Sequence, residues 1–335
     1  MNVLFVGGTG IISSACARLA LKRGMTVTLL NRGKSLRHPP PPGVQLLVGD
    51  IRDPASARTA IGERSFDAVV QWTGFVPAHA AFDVALFGGR TSQYVFISSA
   101  SVYHKPPRSL PITESTPLHN PYWQYSRDKI ACEEVLREAY RRDGFPVTIV
   151  RPSHTYDAGL LPVHGGWTTI DRMRCGLPVI VHGDGTSLWT LTHNDDFAHG
   201  LVGLLGQDAA VGEAFHITSD EVLTWNAIHE ILGRAAGVRP KLVHVPSELI
   251  AAFDPAWGAG LLGDKAHSMI FDNTKLRRLV PDFRPAVRYS RGAEQQIAWY
   301  EAEASRRVVD EALSERMDRI IASYEGAWPS PRGAS

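Results

Sequence analysis

The chain has 335 residues, 44% of them apolar and 21% charged, with 35 Lys plus Arg set against 34 Asp plus Glu. A formal charge of +1 with no block of like charge excludes the basic face that non-specific nucleic-acid binding requires. Three widely spaced cysteines (Cys16, Cys132, Cys175) suit neither a disulfide framework nor a zinc site. No apolar run approaches the ~18 residues of a membrane span. The first strand starts at residue 2, leaving no room for a signal peptide ahead of it, so the expectation is a cytoplasmic protein. The length suits two lobes better than one core.

In chain order, "NVLFVGG" is a continuous apolar run, the pattern of a strand buried on both faces. "SSACARLALKRG" is helical and stops at Gly24. "MTVTLLN" is a second strand, and "HPPPPG" after it is a stiff loop in which no helix forms. "VQLLVGD" and "FDAVVQWTG" are strands with the helix "DPASARTAIG" between them, and "QYVFISSASVY" is another strand running into polar residues. Residues 122–142 read as a helix and "PVTIVRPS" as the strand after it. This rhythm predicts an α/β fold with a doubly wound parallel sheet of the Rossmann type and right-handed crossovers.

After Ser153, Gly, Pro and Trp become frequent and the rhythm weakens. "DDFAHGLVGLLG" then reads as a helix, with Asp195 and Asp196 as its caps, and "EAFHITS" as a strand returning to the sheet. The expected organisation is a dinucleotide-binding domain over 1–156 with return segments at about 192–220. A smaller, discontinuous C-terminal substrate lobe takes 157–191 and 221–325.

Two stretches carry chemistry. "VLFVGGTGIIS" is a strand, then Gly7-Gly8-Thr9-Gly10, then a helix beginning at Ile11 and Ile12. Glycine permits a tight turn and close backbone approach, and the helix start offers free N–H groups to a phosphate. Ser13 stands where the fingerprint's last glycine would be, small enough for helix and strand to pack. Where an acidic residue would bind the adenosine ribose, the second strand ends in Asn31-Arg32, with Lys34 and Arg37 following. Arg and Lys pair with a 2′-phosphate that a carboxylate would repel, so NADP(H) is favoured, with NAD(H) possible. The other stretch is "PYWQYSRDK": Tyr125 and Lys129, four apart, reach one point from a single helix face. Tyr122 and Trp123 are read as packing.

"GGTG", "GDIRD", "ISSASVY" and "YSRDK", in that order, resemble the extended short-chain dehydrogenase/reductase superfamily, and within it the nucleotide-sugar epimerase/dehydratase group. The similarity runs from residue 2 to about residue 200 and more faintly to "EQQIAWY". The resemblance implies Ser99, Tyr125 and Lys129 as the catalytic set. Tyr125 is then the acid/base, its pKa lowered by Lys129 and the oxidised nicotinamide; Lys129 holds the nicotinamide ribose, and Ser99 binds the reacting oxygen. It also implies that Asp50 and Ile51 line the adenine pocket and that Thr73 and Gly74 lie against the cofactor's inner face.

The same resemblance bears on the reaction. The group's dehydratases carry an Asp-Glu pair after the Ser/Thr, its decarboxylating members a Glu and its 3,5-epimerases a Cys; here Ala100 and Ser101 occupy those positions. A 4-epimerase-type or keto-reductase reaction remains. In the segment where the family's Arg grips a nucleotide diphosphate this chain has Trp189, and His154 stands where epimerases often have Asn. Trp189 is either core or a wall that stacks on a ring, and His154 either structural or a substrate contact. Arg172, Arg174, Arg288 and Arg291 are candidate replacements for the clamp. The expected substrate is a small molecule: a sugar nucleotide, sugar or cyclitol. No metal constellation is present. The apolar positions Ile130, Ala131, Val135, Leu136 and Ala139 on the Tyr125 helix suit a homodimer interface or packing on the sheet. The alternative to an enzyme is a non-catalytic relative that senses NADP or binds RNA.

Overall fold

The computed structural model describes residues 1–34 and 38–328; Arg37, one of the basic residues read after the second strand, lies outside them. Val3, Leu4, Phe5 and Val6 in β1 (Asn2–Val6) are all fully buried, each contributing roughly 1.5–3 kcal/mol. After β1 come α1 (Ile11–Lys22), β2 (Thr26–Asn31) and β3 (Gln45–Val48). The Pro-rich stretch between β2 and β3 forms no helix among its described residues. Next are α2 (Pro54–Ile61), β4 (Phe66–Gln71), α3 (Pro77–Phe87), β5 (Thr91–Ile97), α4 (Gln124–Asp143) and β6 (Val147–Pro152). Asp53 caps α2 by accepting from the Ala55 and Ser56 N–H groups, and Gly144, at φ +68°, closes α4 in the left-handed region.

β7 (His154–Tyr156), α5 (Trp167–Arg174), β8 (Pro178–His182), β9 (Leu188–Trp189), β10 (Leu191–His193), α6 (Asn194–Leu204) and β11 (Ala214–Ile217) complete the return to the sheet. Seven parallel strands lie in the order β11-β6-β5-β4-β1-β2-β3. The order reverses beside β1, and this opens a crevice at the C-terminal strand ends. α6 packs along α1 on one face of the sheet, and α3 against α4 on the other. The N-cap of α6 is His193, whose ring accepts from the Asp195 N–H, so the expected aspartate caps sit one and two residues inside the helix. Asp196 accepts instead from the Ala286 and Val287 N–H groups, and Asp195 pairs with Arg18.

The remainder is β12 (Leu223–Thr224), α7 (Trp225–Ala235), β13 (Lys241–Val245), α8 (Ser247–Phe253), α9 (Pro255–Gly260), α10 (Thr274–Leu279), α11 (Tyr289–Glu301) and α12 (Glu311–Gly326). β13 pairs in parallel with β8, and a single turn of π-helix, Leu261–Lys265, follows α9. An aromatic-rich core (Tyr103, Tyr156, Trp167, Trp189, Trp225, Tyr289) joins this region to the crevice. Among the described residues no helix is long and apolar enough to cross a membrane.

Candidate functional site

The glycine turn after β1 forms one side of the crevice. Gly7 and Gly8 have φ of +107° and +105°, where an L side chain is strained. A Cβ on Gly8 would lie 2.6 Å from Leu29 Cδ2, and one on Gly7 3.2 Å from Trp72 Cβ. Gly10 donates its N–H to Ser13 Oγ at 2.8 Å, so Ser13 both fits beneath the turn and ties it. α1 then starts at Ile11, and its first N–H groups have no intrahelical acceptor. A groove of about 360 Å³ runs on from here, lined by Gly7, Thr9, Asn31, Arg32, Lys34, Asp50, Ile51 and Thr73. Asn31 Oδ1 accepts from the Gly33 N–H, leaving Arg32 and Lys34 exposed along the rim. The cradle of positive-φ glycines and the basic rim fit a dinucleotide with its adenosine end at β2.

Tyr125 and Lys129 lie on the first two turns of α4, and Ser99 follows β5. Lys129 is buried and donates to the carbonyls of Gly74 (2.6 Å) and Ile97 (2.8 Å), which fixes its ammonium between the ends of β4 and β5. Phe75 and Phe96 flank it at 4.8 and 4.9 Å. Burial pulls its pKa down to about 8. In the chain by itself burial raises the Tyr125 pKa, a hydrogen bond with Ser99 offsets only part of this, and Asp264 raises it further. The chain's own groups therefore keep the phenol protonated at neutral pH. Ser99 Oγ lies 2.9 Å from Ser101 Oγ, which in turn accepts from Ser126 Oγ at 2.7 Å.

Ser99 and Tyr125 open into a cavity of about 290 Å³ that His154, Trp189 and Lys265 also line. A second chamber of about 430 Å³ adjoins it, sharing Trp123, His154, Leu160 and Lys265. Trp189 is 3% exposed and donates its Nε1–H to His154 Nδ1 at 3.1 Å, so it belongs both to the core and to the cleft wall. Burial, with the nearby Lys265 ammonium, brings the His154 pKa to about 3; the ring is neutral with its proton on Nε2. Trp123 is not mere packing, since it walls both chambers, while Tyr122 is 46% exposed.

None of the four arginines lines either chamber. Arg172 is buried under α12, bonded to Pro178 O, Ser314 and Asp318. Arg174 pairs with Glu301, Arg291 with Glu294, and Arg288 is 82% exposed beside Glu221. The cleft's cation is instead Lys265, at the end of the π-turn, and beside it Asp264 is held by the buried Lys105 at 2.7 Å. Asn120, fully buried, organises this corner. Its amide donates to Ser101 O and Gly263 O and accepts from the Tyr122 and Trp123 N–H groups. A Cβ on Gly263 would lie 2.6 Å from Trp123 Cβ, so only glycine lets the turn approach so closely. "GDKAH" contains no motif that marks these residues; the glycine-dense, non-periodic "AWGAGLLGDK" is the one sequence sign of an irregular segment.

A parallel sheet that ends in a positive-φ glycine cradle, with Tyr, Lys and Ser grouped beside it, defines a dinucleotide-binding α/β protein of the extended dehydrogenase/reductase type. A family model described as "NAD dependent epimerase/dehydratase family" matches residues 3–218. The chain belongs to that family. It is 28% identical over 290 residues to a 2'-dehydrokanamycin reductase of Streptomyces kanamyceticus, covering 85% of this chain and 80% of that one. A chloroplast stem-loop binding protein of Arabidopsis thaliana is 27% identical over 257 residues, covering 72% of this chain and 65% of the relative. Among solved structures, the UDP-glucose 4-epimerase of Bifidobacterium longum in complex with NAD+ and UDP superposes with a TM-score of 0.72 at 19% identity, covering 91% of this chain and 99% of that one.

Proposed function

We propose that this protein is an NAD(P)-dependent keto-reductase acting on a carbonyl of a sugar or sugar-like small molecule. The observation that carries this reading is the chemistry of the chamber around Tyr125. Its polar lining is mostly hydroxyl groups (Ser99, Ser101, Ser153, Thr155, Thr190), and the one carboxylate among its described lining residues, Asp264, is held by Lys105. Among the described residues lining this chamber, no free carboxylate or thiolate is placed to remove a carbon-bound proton, as dehydration or 3,5-epimerisation requires. Tyr125, with Ser99 beside it, is the proton donor such a reduction needs.

In this mechanism Ser99 donates a hydrogen bond to the substrate carbonyl oxygen and Tyr125 gives it the proton. Lys129, anchored by two backbone carbonyls, has its remaining N–H free for the cofactor ribose. The nicotinamide, when bound, supplies the hydride to the carbonyl carbon. Ile11 and Ile12 would hold the phosphates through backbone N–H groups, Gly7 and Gly10, whose N–H groups go to Leu30 O and Ser13 Oγ, would let the backbone come close, and Asp50, Ile51, Thr73 and Gly74 would shape the groove. Arg32 and Lys34 favour NADPH by pairing with its 2′-phosphate. The relative named for reduction of 2'-dehydrokanamycin supports a ketone on a glycoside as the substrate class. A 4-epimerase remains the second reading, since the same residues serve it. A homodimer through α4 is supported by the half-buried Ile130 and Ala131, whereas Leu136 and Ala139 are buried against the sheet and Val135 packs on the same core.

Tyr125→Phe tests the proposal. With NADPH and a panel of keto-sugars, turnover should fall by about 10²–10⁴-fold while NADPH affinity is kept. Near-normal turnover would refute it.

A further inference from the structure

Lys265 is held with more care than a surface lysine. Its carbonyl accepts from His182 Nε2 (3.0 Å), Ser187 Oγ (3.1 Å) and Trp225 Nε1 (3.2 Å). The two residues before it are pinned as well, Asp264 by Lys105 and the Gly263 carbonyl by Asn120. A single π-turn within an otherwise α-helical run often marks a functional position. From this fixed backbone the side chain reaches the constriction that both chambers share, its Nζ 5.6 Å from the Trp123 ring centre and 6.0 Å from that of Trp189. Among the described residues no carboxylate lies within ion-pair distance of that Nζ, and burial lowers its pKa.

A half-buried ammonium in an aromatic wall, with no carboxylate of its own, is placed to pair with an incoming anion. His154 adds a second donor at the same constriction, because Trp189 occupies Nδ1 and leaves the Nε2–H. Lysine is a compact point charge that suits one oxyanion, unlike the planar fork with which arginine grips a diphosphate.

We propose that Lys265 selects the substrate by charge: with the His154 Nε2–H it binds a single oxyanion, a carboxylate or a phosphate monoester, borne by a sugar-like substrate whose ring rests on Trp123. This rests on the reading of the cleft as the substrate site, but its test does not require turnover.

The test is calorimetric binding of D-glucuronate, D-glucose 1-phosphate, D-glucose and kanamycin to the full chain, to Lys265→Met and to Lys265→Arg. At least one anionic probe should bind the wild type about tenfold or more tighter than glucose, the size expected of a charge-assisted hydrogen bond. Glucuronate against glucose 1-phosphate tells carboxylate from phosphate. Lys265→Met should lose the preference and melt no lower than wild type, since it removes a half-buried charge with no carboxylate partner, and Lys265→Arg should keep most of it. NADPH affinity should hold in both variants. Equal binding of anions and glucose, no binding of either anion at millimolar concentration, an anion preference that survives Lys265→Met, or tighter binding of kanamycin than of glucuronate would each overturn the proposal. Failure of the keto-reductase reading would appear separately, as undiminished turnover in Tyr125→Phe.

Discussion

The two banks of the crevice are built by different means. The cofactor bank is made mostly of contacts to backbone: Gly10 to Ser13 and Gly33 to Asn31 within three residues, and Lys129 to the carbonyls of Gly74 and Ile97, 55 and 32 residues away. The substrate bank is made of side chains far apart in the chain. Asn120 reaches Gly263 across 143 residues, and Lys105 reaches Asp264 across 159. A backbone-built bank tolerates little change of sequence and presents one shape to one class of ligand. A side-chain-built bank is altered one residue at a time, so specificity is read on that side. Within this chain Trp189 stands where the resemblance places an arginine, and the cation lining the cleft is Lys265, from another segment.

The largest effect that would probe this contrast is expected at Asn120. Replacement by alanine leaves the Ser101 and Gly263 carbonyls and the Tyr122 and Trp123 N–H groups without their partner. At about 1 kcal/mol for each lost bond, and more where water cannot enter, the cost is about 4 kcal/mol. Urea unfolding should report it. Turnover should fall further than NADPH affinity, because the damage lies on the substrate bank. A loss confined to NADPH binding would erase the distinction between the two banks.

On the other bank, Arg32→Glu should weaken NADPH binding by about 100-fold and leave NADH nearly unchanged, through loss of one charge-assisted pair and gain of a repulsion. Titration of both nucleotides by fluorescence measures it. Equal effects on the two would mean that Arg32 does not meet the 2′-phosphate.

Much of the cofactor bank was legible because its signals are local. Gly7 and Gly10 follow a buried strand, Tyr125 and Lys129 share a helix face, and Ser99 ends the strand beside them. The parallel, doubly wound sheet also follows from the alternation of strands and helices, whereas its strand order comes from the structure. What sequence reading missed has a physical reason in each case. α3, "PAHAAFDVALF", is apolar on nearly all sides and gives no helical period. Trp123, Asn120 and Lys265 acquire their roles only when segments more than 100 residues apart meet. The direction of the Tyr125 shift depends on burial, which a spacing cannot report, and the expected aspartate caps of α6 gave way to His193 because Asp196 is needed across the fold.

The smallest expected effect lies behind the cofactor bank, at Asp83. Its carboxylate is buried on α3, with Oδ2 accepting from Gln71 Nε2 (2.7 Å) and Tyr94 OH (2.6 Å) and Oδ1 unbonded. Gln71 passes the contact on, accepting from the Thr73 N–H and hydroxyl at the groove. Burial raises the Asp83 pKa from 3.8 to about 7. Between those values the folded chain binds more protons here than the unfolded one, so this group makes stability fall as pH rises from about 4 to about 7, and it adds no further slope above that. Asp83→Asn keeps the acceptor for Tyr94 and removes the titration. The advantage of the variant over wild type should be larger at pH 8 than at pH 5 by about 2 kcal/mol, after allowance for relaxation around the buried charge. Chemical denaturation at the two pH values decides the matter. A difference between variant and wild type that does not grow with pH would show that Asp83 is already ionised in the folded chain at pH 5, and that the link from α3 to the groove at Thr73 carries a charge throughout.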